Sequence, residues 1–213
     1  MDEVHEVTEL ITPGPAEALA GLLGVPCPGE ELPLLWHWVY LLDRPPQATL
    51  GPDGHQARGG MPVPPGPGLR RMFAGGRVAI TEEQDLVYRE PGANSPARSG
   101  PGVAVAGRDW PVTVDPVLLF RFSALTYNAH RIHYDLAYAR AEGYPGLVVH
   151  GPLQALLMAE LARSRGPAEY SYRLVAPLYD DQGLVVSAAG DGDAVRVSCR
   201  DADDRVTATG VLS

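Results

Sequence analysis

The sequence predicts an α+β protein in which an antiparallel sheet wraps around one long apolar helix. Leu153 to Ser164 carries Leu153, Leu156, Leu157 and Leu161 at helical spacing, so one stripe of that helix should be buried. Four strand-like runs follow it, at 170–176, 184–189, 194–199 and 205–212. The connections Gly190-Asp191-Gly192-Asp193 and Asp201-Ala202-Asp203-Asp204 are turn-forming, which makes an antiparallel meander the natural arrangement. A buried helix followed by a run of strands is the α+β pattern, as opposed to the alternation of a parallel α/β sheet.

The earlier elements are read in chain order. Pro15 to Leu23 is a short helix with proline in its first turn and Gly24 to stop it. Leu34 to Leu42 (LLWHWVYLL) is a dense apolar run whose period assigns it to neither helix nor strand, and Trp36, Trp38 and Tyr40 within it are expected in the core. Gly51 to Gly68 is a Gly/Pro-rich loop without a core-forming pattern. Arg77 to Ile80 and Gln84 to Arg89 are expected strands, and Pro91 to Gly107 has the composition of a linker. Asp115-Pro116 is an N-cap and first-turn pair that opens a helix through Leu125. Asp135 can cap a second short helix over 136–142, and Gly151-Pro152 opens the long one. The expected division is a shortened N-terminal half at 1–90, a linker at 91–108 and a complete C-terminal domain at 109–213.

Composition narrows the function. With 213 residues, 45% of them hydrophobic, the chain can bury a substantial core. A net charge of −9 argues against a nucleic-acid partner, whose binding rests on clustered Lys and Arg. Cys27 and Cys199 form no paired motif, so neither a disulfide framework nor a zinc knuckle is expected, and a reducing cytoplasm fits. The N-terminus lacks the basic and apolar regions of a signal peptide. The most apolar stretch, 146–162, is too short to span a membrane and is interrupted by His150, Gln154 and Glu160.

The chemistry concentrates in 122–139, FSALTYNAHRIHYDLAYA. Asn128, His130, Arg131, His133 and Asp135 put an amide, two imidazoles, a guanidinium and a carboxylate into eight residues. His133 is the leading catalytic candidate, because imidazole both takes and returns a proton near neutral pH. Asn128 could orient water or the imidazole, or simply be a turn residue. Tyr127, His130 and His150 are candidate substrate contacts, His150 being also open to a structural role. Arg131 is either a carboxylate or phosphate contact or half of a surface ion pair. Asp135 reads as an N-cap before it reads as a base. The second segment, GYPGLVVHGPL at 143–153, puts Gly151 at a helix N-terminus, where free N–H groups and the dipole can hold a carbonyl oxygen that becomes anionic. His130-x-x-His133-x-Asp135 also has a metal-like spacing, but no distant ligand completes it, and no metal is expected.

These residues resemble the MaoC-like, (R)-specific enoyl-CoA hydratase family. That family carries Asp, a variable residue, Asn-Pro-Ile and His, then a small residue six positions on; here stand Asn128-Ala129-His130-Arg131-Ile132-His133 and Ala139. The run from Thr126 to Asp135, followed by 143–152, is similar to the branch holding mitochondrial-type 3-hydroxyacyl-thioester dehydratases and mesaconyl- and 3-methylfumaryl-CoA hydratases. Leu35-Trp36-His37-Trp38 and Met72 to Arg77 resemble the N-terminal half of the same proteins. The resemblance implies a hot-dog fold, a carbon–oxygen lyase acting on CoA or carrier-protein acyl thioesters, and a homodimer without metal or redox cofactor. It implies catalytic roles for His133, Asn128 and Gly151.

Two departures stand out. The N-terminal half runs almost directly from Gly76-Arg77-Val78 into Thr81-Glu82-Glu83-Gln84-Asp85, where the family usually has several more strands. Asn128 replaces the acidic member of the family's catalytic pair, and an amide cannot accept a proton as a carboxylate does. The acid/base work must therefore fall elsewhere. Two rivals keep the fold: a non-catalytic acyl-thioester-binding subunit, and a hot-dog thioesterase.

Overall fold

The computed structural model describes residues 8–29, 31–56, 108–163, 169–190 and 194–213, together with the backbone of 70–78 and 82–89. The helices are α1 (Pro13–Leu23), α2 (Pro116–Leu125), α3 (Leu136–Ala141) and α4 (Gly151–Leu161). The strands are β1 (Arg70–Val78), β2 (Glu82–Arg89), β3 (Arg108–Val112), β4 (Tyr170–Leu174), β5 (Leu184–Ala189), β6 (Val195–Arg200) and β7 (Val206–Leu212). They form one sheet in the order β2-β1-β4-β7-β6-β5-β3, antiparallel at every pairing. This is the hot-dog fold, with α4 as the wrapped helix.

The capping signals place the helices. Asp115 Oδ1 accepts from Leu118 N at 2.7 Å, and Pro116 fills the first turn of α2. Asp135 Oδ1 accepts from Tyr138 N at 3.0 Å and starts α3. Gly24, at φ 69°, closes α1. The apolar run at 34–42 contains a 3-10 turn at Trp36–Val39. Among the described residues no helix is long and apolar enough to cross a membrane.

α4 is buried more completely than a one-stripe helix. Leu153, Gln154, Ala155, Leu156, Leu157, Met158, Ala159 and Leu161 are all buried. The sheet covers one side, and Trp36 reaches the end of the helix through its indole N–H, which donates to Glu160 at 3.2 Å. A helix enclosed on all sides must be apolar all round, and its polar exception is satisfied: the Thr207 hydroxyl donates to Gln154 Oε1 at 2.7 Å.

The meander expectation is corrected in one respect. β5, β6 and β7 do run as a meander, but β4 pairs with β7, in the register Tyr170↔Leu212. Gly210 permits this close pairing, since a Cβ there would lie 2.8 Å from the Tyr170 ring and 3.0 Å from the Ser171 carbonyl. The Tyr170 hydroxyl then donates to the Ala155 carbonyl at 3.0 Å, pinning β4 to α4. β3 is an additional strand on the outer side of β5. It contains Pro111, which is tolerated because β3 is the outermost strand on that side among the described residues. β1 begins well before the expected 77–80 run, of which 79–80 lie outside the described residues, β2 begins two residues before the expected 84–89, and both extend the same sheet through β1–β4 pairing. Most of the expected linker, 91–107, lies outside the described residues.

Candidate active site

The motif loop is shaped by the end of α2. Asn128 N donates to Ser123 O at 2.8 Å, Tyr127 takes a left-handed backbone at φ 53°, and Asn128 Oδ1 accepts from His130 N at 3.0 Å. A 3-10 turn over Arg131–His133 follows and sends the His133 ring inward. The chain returns to the same place at 147–151, where Val148 N donates to Ile132 O at 3.0 Å. The result is a cavity of about 600 Å³ with Tyr127, Asn128, His130, His133 and Gly151 in its wall. That size suits a small-molecule substrate.

His133 is buried, with Nδ1 2.7 Å from the Val148 carbonyl oxygen. A carbonyl only accepts, so the Nδ1–H donates, and Nε2 keeps the lone pair. Burial pushes the imidazole down to about 4; the bond to Val148 opposes this, and His55 adds to it. At neutral pH His133 is therefore uncharged and able to receive a proton. His150 stacks on it at 3.7 Å, with ring planes 19° apart. His150 is itself buried, its Nε2 is 2.9 Å from Ser123 Oγ, and its Nδ1 meets no hydrogen-bond partner among the described residues. Burial, with His133 and His130 nearby, pushes the His150 imidazole well below its ordinary range.

Other expected residues are placed differently. Arg131 does not line the cavity. Its Nη2 is 2.6 Å from Asp135 Oδ2, its Nη1 donates to Pro52 O at 3.1 Å, and its guanidinium lies 4.2 Å above the Tyr138 ring. Asp135 is thus occupied as an α3 cap and as Arg131's partner. His150 sits behind His133 rather than in the wall. Trp36 and Tyr40 lie in the core as expected, with Trp38 packed against it, and Trp38 and Tyr40 also line the cavity.

Sequence reading missed Asp53 and His55. The turn at 51–56 docks against the motif loop: Arg131 N donates to Asp53 O at 2.9 Å, and Gly51 N donates to His55 O at 2.7 Å. Gly54, at φ 90°, makes this possible, because a Cβ there would fall 1.8 Å from the Ala129 carbonyl oxygen. His55 then enters the cavity wall, its ring 4.0 Å from that of His130. Its Nδ1 is 3.1 Å from Asp53 Oδ2, and its N–H donates to Asp53 Oδ1 at 3.1 Å. Burial alone would raise the Asp53 carboxyl; the His55 side-chain and backbone hydrogen bonds and the His55 and His130 charges outweigh it and bring it down to about 2. The only signal in the sequence was Asp-Gly-His inside a Gly/Pro-rich loop. Asp53, His55 and His130 also place ligand-type atoms within 4.8 Å of one another, unlike the His130/His133/Asp135 spacing considered from sequence.

At the floor, α4 begins with Gly151. Its first intrahelical bond is Gln154 N to His150 O at 3.2 Å, and Pro152 has no N–H, so Gly151 N is a donor without an intrahelical partner. A buried neutral imidazole and a helix N-terminus thus meet in one half-open cavity, an arrangement chemically suited to proton transfer beside a carbonyl.

Comparison with known proteins agrees with that class. The family "Hydroxyacyl-thioester dehydratase type 2" matches residues 76–180. A relative from Chloroflexus aurantiacus, mesaconyl-C(4)-CoA hydratase, is 42% identical over 232 aligned positions, covering 84% of this chain and 82% of that protein. The mitochondrial hydroxyacyl-thioester dehydratase type 2 of Schizosaccharomyces pombe is 31% identical over 55% of this chain and 41% of its own length. HtdX of Mycobacterium tuberculosis has a similar fold, with a TM-score of 0.60 at 17% identity over 95% of both chains. The chain belongs to the hydroxyacyl-thioester dehydratase type 2 family of MaoC-like hot-dog hydratases and dehydratases, which are carbon–oxygen lyases.

Proposed function

We propose that this protein adds water across the double bond of a short branched or dicarboxylic enoyl-CoA, such as mesaconyl-CoA, or removes it in reverse. The observation that carries this reading is His133: a neutral, buried imidazole whose Nδ1–H is fixed on Val148 and whose Nε2 shares a cavity with the N-terminus of α4. The thioester oxygen lies at Gly151 N–H, where the helix end stabilises charge as it develops. Water bonds to the β-carbon while its proton passes to His133 Nε2, and the double-bond electrons move onto the thioester oxygen. A proton from an acidic group in the cavity wall forms the new α-carbon–hydrogen bond and completes the addition, and His133 passes its proton to water once product leaves. Asn128 holds the loop through His130 N, and Tyr127 and His130 contact the acyl chain or thioester. The CoA or pantetheine arm is part of the substrate, and the chemistry requires no other cofactor.

The protein works as a cytoplasmic homodimer in this reading. The sheet ends in the edges β2 and β3, and Val117 and Phe120 on α2 are 62% and 60% exposed, which a second copy would cover. Light scattering at micromolar concentration should report twice the chain mass; a monomer with intact activity would refute the dimer. For the activity, the protein is incubated with mesaconyl-CoA and crotonyl-CoA while enone absorbance and free thiol are followed. Loss of enone without thiol release is expected, faster with the dicarboxylic substrate. Thiol release without hydration would make it a thioesterase, and no change in either would leave a binding subunit.

A further inference from the structure

We propose that His55, positioned by Asp53, is a second proton-transfer residue of this site, serving the α-carbon while His133 serves the added oxygen. The inference rests on the hydratase reading above and deepens it.

Asn128 cannot do the work of a carboxylate. A neutral amide neither accepts nor supplies the proton that a carboxylate at that position would, and its Oδ1 already accepts from His130 N. His133 alone is a limited substitute. Its burial keeps it uncharged, so it can take a proton, but it does not hold a proton in readiness for carbon.

The turn at 51–56 supplies the missing carboxylate one residue removed. Asp53 Oδ2 accepts from His55 Nδ1–H at 3.1 Å, which fixes the ring and directs Nε2 away from the carboxylate. Asp53 stays ionised and balances the charge that His55 carries when it holds a proton. The His55 side chain is 30% exposed, so it exchanges protons with solvent, whereas His133 is buried. Both rings stand in the wall of one cavity, and the His130 ring lies 4.0 Å from His55 and 5.4 Å from His133. Two imidazoles in opposed environments, one buried and held on a backbone carbonyl and one part-exposed and backed by a carboxylate, divide the base and acid roles.

The step balances. In hydration the water oxygen bonds to the β-carbon, its O–H bond breaks, and the proton goes to His133 Nε2. The double-bond pair moves to the thioester oxygen and then forms the new α-carbon–hydrogen bond with the proton that leaves His55 Nε2. His133 ends protonated and His55 neutral; once product leaves, His133 gives its proton to water entering the cavity and His55 takes one from solvent, which restores both. Dehydration runs the same transfers backwards.

The test compares the parent with His55→Gln, His55→Ala and Asp53→Asn on whichever enoyl-CoA the parent hydrates, with folding checked by thermal melting. Both His55 variants should lose about 10²–10⁴-fold in kcat with little change in KM. Added imidazole should restore part of the His55→Ala rate through the open side of the cavity. Asp53→Asn should lower kcat by about tenfold or more, again without raising KM. In D2O, the 3-hydroxyacyl thioester should gain deuterium at its α-carbon with the parent and with His133→Ala, but not with His55→Gln. Variants that fold and turn over like the parent would overturn the proposal, as would an effect on KM alone or the opposite deuterium pattern. Loss of activity with a chelator, restored by zinc, would overturn it by assigning Asp53, His55 and His130 to a metal. A parent that hydrates no enoyl thioester would instead overturn the hydratase reading, and this proposal with it.

Discussion

Acidification should destabilise the fold through the His133 pocket. The unfolded chain titrates His133 at the ordinary 6.5, while the folded chain holds it down to about 4. As pH falls from 6.5 towards 4, the unfolded state takes up a proton that the native state refuses. Stability is therefore full above pH 6.5 and drains away across that window. A difference of about 2.5 pH units corresponds to about 3 kcal/mol. His150, stacked on His133 and lowered by the same burial, pushes in the same direction. Against the ~5–15 kcal/mol that holds an ordinary domain together, this is a large share. Urea unfolding at pH 7, 5.5 and 4 measures it, with His133→Gln as the control, since glutamine can still donate to Val148 but takes up no proton. The variant should be less stable at pH 7 and should lose about 3 kcal/mol less than the parent between pH 7 and 4. Parallel curves for the two proteins would show that His133 is not held neutral by burial, and its readiness to act as a base would lose its support.

Two further perturbations probe how the site is built. Gly54→Ala drives a methyl into the Ala129 carbonyl at 1.8 Å and strains a backbone at φ 90°, so the 51–56 turn should detach. Turnover should fall while the far-ultraviolet circular dichroism stays near that of the parent; unchanged kinetics would mean the turn does not need its docked position. Asn128→Ala removes the acceptor that orders His130 N, and kcat should fall by about tenfold, well short of the loss expected on removing His133. An equal loss in the two variants would give Asn128 a direct chemical role.

How much of this was legible in the sequence depended on how local each signal was. α2 and α3 could be read because Asp115 and Asp135 cap helices within three residues, and α4 because leucine periodicity survives in a buried helix. His133 stood out because its motif is contiguous. The partnership of β4 with β7 was not legible, because it joins residues about forty apart and depends on the absence of a side chain at Gly210. β3 was hidden by Pro111, which weakens a strand signal everywhere except at an edge. Arg131 was ambiguous between a ligand and an ion pair, and only the placement of Asp135, Tyr138 and Pro52 decides it. His55 reaches the site only through tertiary docking of the 51–56 turn, and nothing in the spacing of Asp53 and His55 announces that they meet residues 128–131.

The most direct test of the account is the rate of enoyl-CoA hydration by the parent and by His133→Ala, followed by loss of enone absorbance. Asp135→Asn serves as the comparison, because its carboxylate caps α3 and binds Arg131 outside the cavity wall. The account predicts that His133→Ala folds, binds the thioester and is slower by about 10²–10⁴-fold, while Asp135→Asn retains turnover at the cost of a lower melting temperature. Near-parental turnover by His133→Ala together with an inactive Asp135→Asn would contradict it and move the acid/base chemistry to Asp135.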